Sequence, residues 1–151
     1  MANVDKSTDR SRILPLNWGE RAFGYMDCRK LLYSDFAASG DTVDLIDLPA
    51  NSVLVSLMVV TKTAFNGTSP VLIFGDSTDP DGYLASGEVE EAAVMASPMD
   101  AADVAAAYAV KAARPVYTSA AHIRATFTYS GTPTAGEAWV IAQILELPSV
   151  S

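Results

Sequence analysis

A mainly β chain, folded as a β-sandwich behind an extended N-terminal arm, is what three features of this sequence predict. Ala121, Ile123, Ala125, Phe127 and Tyr129 alternate with His122, Arg124, Thr126 and Thr128, the period of a strand with one face on a core. Two β-branched, aliphatic runs cover residues 42–48 and 52–65. Clusters of Gly, Pro, Asn and Asp separate the apolar runs at intervals that suit some six to eight short strands. A length of 151 residues suits one domain: an arm over 1–21 and a sandwich over 22–151.

Residues 1–21, MANVDKSTDRSRILPLNWGER, are charged at first and then carry Ile13, Leu14, Leu16 and Trp18 around Pro15 with no periodicity. Such a segment cannot bury enough surface to fold alone, so it is expected to be extended and either mobile or laid on another surface, the second favoured by Trp18 and its aliphatic neighbours. Phe23 to Ser39 fits a short helix or a strand equally well. Residues 41–49 read as a strand closed by Leu48-Pro49-Ala50-Asn51-Ser52.

The stretch from Asn51 to Gly87 holds the clearest local prediction, a hairpin that ends in an acidic loop. Its first strand, Ser52 to Phe65, is apolar on both faces at its centre, so it is expected to be covered on both sides, by a second sheet or by a neighbouring subunit. Phe65-Asn66-Gly67-Thr68-Ser69-Pro70 reads as the turn and Val71 to Phe74 as the second strand. Downstream, an Ala-rich segment over about 98–113 fits one short helix, with a loosely packed loop as the competing reading: Pro98 stands at its start, Asp100 and Asp103 near its positive end, and Lys111 and Arg114 near its negative end. A final strand over 137–147 follows the Gly/Pro turn at 130–136.

Charge is uneven along the chain. The formal net charge is −8, which argues against nucleic acid as a partner, since phosphate binding needs clustered Lys and Arg. Residues 1–30 carry six basic and four acidic groups, and the rest carries four basic and fourteen acidic. A basic arm therefore precedes an acidic body. The longest apolar run, Val53 to Val60, is too short to span a bilayer, and the start of the chain lacks the layout of a secretory signal. The protein is expected to be made in a cytosol, with no membrane partner.

In Gly75-Asp76-Ser77-Thr78-Asp79-Pro80-Asp81-Gly82, placing Gly82 at the sixth position of a calcium loop puts Asp81 fifth, Asp79 third and Glu88 twelfth. Ser77 then occupies the first position, where an aspartate belongs, and the flanks are β-like, so a shaped turn is expected instead of a metal site. Cys28 and His122, the one cysteine and the one histidine, would have to meet in space to form a catalytic pair. No nucleophile-elbow, P-loop or dinucleotide-binding pattern is present, and Glu90-Glu91 has no feature of a glycosidase pair. The expectation is a protein without catalytic residues, metal or cofactor.

Asp47-Leu48-Pro49-Ala50-Asn51-Ser52-Val53, Thr61 to Pro70, Phe74-Gly75-Asp76 and Asp79-Pro80-Asp81-Gly82-Tyr83-Leu84 together resemble the small β-rich virion proteins of tailed bacteriophages, in particular capsid decoration (cement) and head-fibre-like proteins. That resemblance implies a jelly-roll-like sandwich, often trimeric, seated on the outside of a capsid, with the major capsid protein as partner. Arg10, Arg12, Ile13, Leu14, Leu16 and Trp18 are then the candidate docking residues of the arm. An alternative is a host-surface or glycan-binding tip, using Asp76, Asp79, Asp81 and Tyr83 with Trp139 for stacking. A third is a head–tail connector component, which would assemble as a larger ring.

Overall fold

The computed structural model describes residues 23–99, 106–110 and 114–148. Its seven strands form two antiparallel sheets packed face to face. Strands β1 (Phe23–Leu32), β3 (Ser52–Thr63), β5 (Ala96–Pro98) and β7 (Glu137–Glu146) make a four-stranded sheet in the order β1-β7-β3-β5. Strands β2 (Thr42–Leu48), β4 (Thr68–Gly75) and β6 (Ala121–Ser130) make a three-stranded sheet in the order β2-β6-β4. Every strand thus lies in the opposite sheet from the one before it.

That alternation overturns the predicted hairpin. β3 and β4 do not pair; the chain between them crosses from one sheet to the other. Phe65, buried at the crossing, packs its ring on Phe127 of the opposite sheet, and Gly67 takes a φ of 122°. The apolar faces of β3 and β4 gain more by meeting across the core than by lying side by side, where each would need another cover.

The ambiguous segment after Phe23 is a strand: all ten residues of β1 pair with β7, from Phe23↔Glu146 to Leu32↔Glu137. Only then does a single helical turn follow, Tyr33–Asp35, where the Asp35 carboxylate accepts a hydrogen bond from the Leu32 amide at 2.8 Å. β6 matches its predicted alternation, with Ile123, Ala125 and Phe127 fully buried. The two-sided apolar character of β3 has two sources. Val55 is an extra residue between Leu54↔Ile144 and Ser56↔Gln143, a bulge that shifts the inward set from Ser52 and Leu54 to Leu57, Val59 and Thr61. The outward set, with Met58 38% exposed, is not covered by the described residues.

The predicted helix over 98–113 is corrected at its start. Pro98 ends β5, paired with Met58, because the open edge of β3 accepts residues 96–98 as a strand. The helix among the described residues is α1 (Ala107–Val110), and Tyr108 ties it to the acidic loop by donating its amide hydrogen to the Gly82 carbonyl at 2.8 Å. The free edge of β4 is closed by Leu84, which exchanges backbone hydrogen bonds with Phe74 at 2.9 and 3.0 Å. The arm residues singled out for docking, Arg10, Arg12, Ile13, Leu14, Leu16 and Trp18, lie outside the described residues.

Candidate interaction face

The acidic loop is a constructed turn around one carboxylate. Asp76 is 3% exposed. Its Oδ1 accepts the amides of Thr78 and Asp79, both at 2.8 Å, and its Oδ2 accepts the phenol hydroxyls of Tyr117 at 2.6 Å and Tyr108 at 3.2 Å. With Tyr117 donating to Asp76, Tyr83 completes the chain by donating to the Tyr117 hydroxyl oxygen. Gly75 permits the tight return, since a Cβ there would lie 2.0 Å from the Asp79 carbonyl oxygen.

Burial raises the pKa of all three phenols, and Tyr108 reaches about 12. They remain donors at neutral pH. Burial, followed by hydrogen bonding to Asp81, also raises the Asp79 carboxyl. Of the four loop residues singled out from sequence, Asp76 and Tyr83 are buried and joined through Tyr117, Asp79 is half-buried, and Asp81 is exposed. Tyr108 and Tyr117 were invisible to sequence reasoning, because they lie 32 and 41 residues from Asp76 with no motif linking them. A cavity of about 380 Å³ beside the loop is lined in part by Thr78, Tyr108, Tyr117, His122 and Arg124. Among the described residues no three His, Cys, Asp or Glu side chains group as metal ligands.

Cys28 and His122 are not brought together. Cys28 is exposed on β1 of one sheet, and His122 is exposed on β6 of the other, 2.9 Å from Asp47. Next to it Arg124 grips Asp44 with two contacts, at 2.7 and 3.3 Å. These hydrogen bonds lower the Asp44 carboxyl below its usual range. A lowered folded pKa gives stability that is present above the unfolded value and lost as pH falls through the folded one. Because both side chains are partly open to solvent, Asp44→Asn is expected to cost under about 1 kcal/mol in denaturant melts, and the difference from wild type should vanish in acid.

The two sheets differ on their outer faces. On the outer face of the three-stranded sheet, β2 and β6 present the polar and charged Thr42, Asp44, Asp47, His122, Arg124 and Thr128, and β4 adds the half-buried Val71 and Ile73. Across the four-stranded sheet, register aligns Cys28, Ile141, Met58 and Pro98 in one row and Lys30, Trp139, Val60 and Ala96 in the next. The inward neighbours of these rows, Leu57, Val59, Val140 and Ala142, are buried in the core. Trp139 is 37% exposed and Met26 70%. This apolar face was signalled in sequence by the two-sided run of β3, although its partner strand could not be read there. Trp139, singled out for stacking on a sugar beside the acidic loop, belongs to this face and to the other sheet.

No family model matches the sequence, and no curated protein matches it significantly. Solved structures do share its fold. They include a chain of the cyanophage Pam1 capsid asymmetric unit, with a TM-score of 0.55, 13% identity and coverage of 83% of this chain and 86% of that one. A chain of the acidic stable capsid structure of Helicobacter pylori bacteriophage KHP30 gives 0.56, 12%, 87% and 95%. A chain of the capsid of Ralstonia phage GP4 gives 0.55, 16%, 85% and 86%. Such identities establish likeness of fold.

Proposed function

We propose that this chain is a non-enzymatic structural virion protein that binds the outside of a phage capsid and stabilises it, as a decoration or cement protein does. The observation that carries the reading is the contrast between the outer faces, one apolar and suited to assembly, one charged and suited to solvent. Fold likeness to chains from three phage capsids supports it. So does the strand order, which is that of a jelly roll whose eighth strand is reduced to the Leu84 bridge. In this reading Arg10, Arg12, Ile13, Leu14, Leu16 and Trp18 dock on the major capsid protein, and copies of the sandwich meet as a homo-oligomer, a trimer by preference. Binding only the assembled shell would stabilise it by mass action, and several arms per oligomer would add avidity.

Pelleting with shells that lack the protein tests this. The full chain should co-sediment, and deletion of residues 2–21 should abolish binding while leaving the β-type circular dichroism intact. Binding by the deleted form would overturn the role of the arm, and no binding by either would overturn decoration. A second reading, a host-surface or glycan-binding tip, draws on the cavity beside the acidic loop. It requires glycan-array binding that disappears in Asp79→Ala and Asp81→Ala. A head–tail connector would instead show ring-sized masses in mass photometry.

A further inference from the structure

We propose that the apolar outer face of the four-stranded sheet is covered by another copy of this chain. The inference rests on the reading of that face as an assembly surface and names its occupant.

Size is the first argument. Ten-residue strands at about 3.3 Å per residue, three abreast at about 4.8 Å with short β5 beside them, make a plane of roughly 500 Å². Val94 and Met95, 68% and 56% exposed, precede β5 in the chain. A stable interface takes about 800 Å² from each partner, so this sheet supplies more than half of one partner's share.

Charge decides which partner. The chain carries a formal charge of −8, so two copies repel wherever carboxylates face each other within about 8 Å at physiological salt. On the outer rows of this sheet the one carboxylate, Glu137, is 3.4 Å from Lys30. The opposite outer face presents two carboxylates, Asp44 at 2.7 Å from Arg124 and Asp47 at 2.9 Å from His122. A basic partner would be drawn to the acidic surfaces. A second acidic copy is met without repulsion by the apolar face, with Met58, Val60, Trp139 and Ile141 buried at its centre and copies arranged about a rotation axis.

Mass photometry and sedimentation of the full chain, with no shell present, test the proposal. Wild type should self-associate, and Met58→Glu with Ile141→Glu should weaken association on the order of a hundredfold or more, as charges placed in a desolvated centre do. Should the double variant lose its fold by circular dichroism, Met58→Ala and Trp139→Ala, which add no charge, should each weaken association roughly tenfold. Asp44→Asn, on the other sheet, should leave it unchanged. A monomeric wild type, or folded face variants that associate like wild type, would overturn the proposal. Shell pelleting reads the other question: a self-associating protein that ignores shells retains this inference and removes decoration, and a monomer that pellets does the reverse.

Discussion

Asp76→Ala is expected to remove about 3–5 kcal/mol of stability, a large share of the total for a domain of this size. The carboxylate closes four hydrogen bonds inside the loop, two to backbone amides and two to phenols. Alanine leaves those donors facing a gap, and each buried donor without a partner costs about 1–3 kcal/mol. Asp76→Asn keeps one acceptor oxygen and should cost roughly half as much, whereas Tyr117→Phe, which breaks the link to Tyr83, should cost about 1–3 kcal/mol. Urea unfolding measures all three. A loss below about 0.5 kcal/mol for Asp76→Ala would show that water replaces the carboxylate and that the loop does not depend on it.

The same network predicts an alkaline limit. Burial raises the folded pKa values of Tyr83, Tyr108 and Tyr117 above the ordinary phenol value of about 10. A raised folded pKa gives stability that is complete below the unfolded value and is lost as pH rises past it. Stability should therefore be flat from neutrality to about pH 10 and then fall. Ultraviolet titration of the phenolates should track unfolding, and Tyr117→Phe should blunt the fall. Phenolate absorbance that rises fully before any unfolding would contradict the network.

How much of this was legible in the sequence depends on what each element needs from afar. β6 was readable because its alternation is strict and its inner face meets one core. β1 was not, since among its residues from Gly24 to Leu32 Leu31 alone is buried and its strand character comes from ten pairings with β7, more than a hundred residues away. Turn chemistry at Asn66-Gly67 reports that the chain reverses, but a reversal within a sheet and a crossing between sheets use the same residues. The bulge at Val55 hid which half of β3 faces inward. Asp76 drew notice as part of an acidic cluster, yet its role is set by Tyr108 and Tyr117, whose approach depends on the fold. The apolar outer face, by contrast, left its trace in β3.

The crossing between β3 and β4 is where the largest packing effect is expected. Phe127 is fully buried and its ring meets those of Phe36, Phe65 and Tyr129 at centroid distances of 5.4, 5.2 and 4.8 Å. One neighbour comes from the segment before β2, one from the crossing itself and one from β6. Phe127→Ala should cost about 3–5 kcal/mol through lost transfer energy and the cavity left behind, lowering the melting temperature by roughly 10 °C for a domain of this length. Phe127→Leu, which keeps most of the volume, should cost only about 1–2 kcal/mol. Gly67→Ala supplies the contrast: its φ of 122° strains any other residue, at about 1–3 kcal/mol. A hairpin depends foremost on its turn glycine, whereas a crossing held by an aromatic cluster depends foremost on the ring. Thermal melts should therefore rank Phe127→Ala as the more damaging change, and the reverse order would mean that the turn, not the cluster, holds the two sheets together at this end.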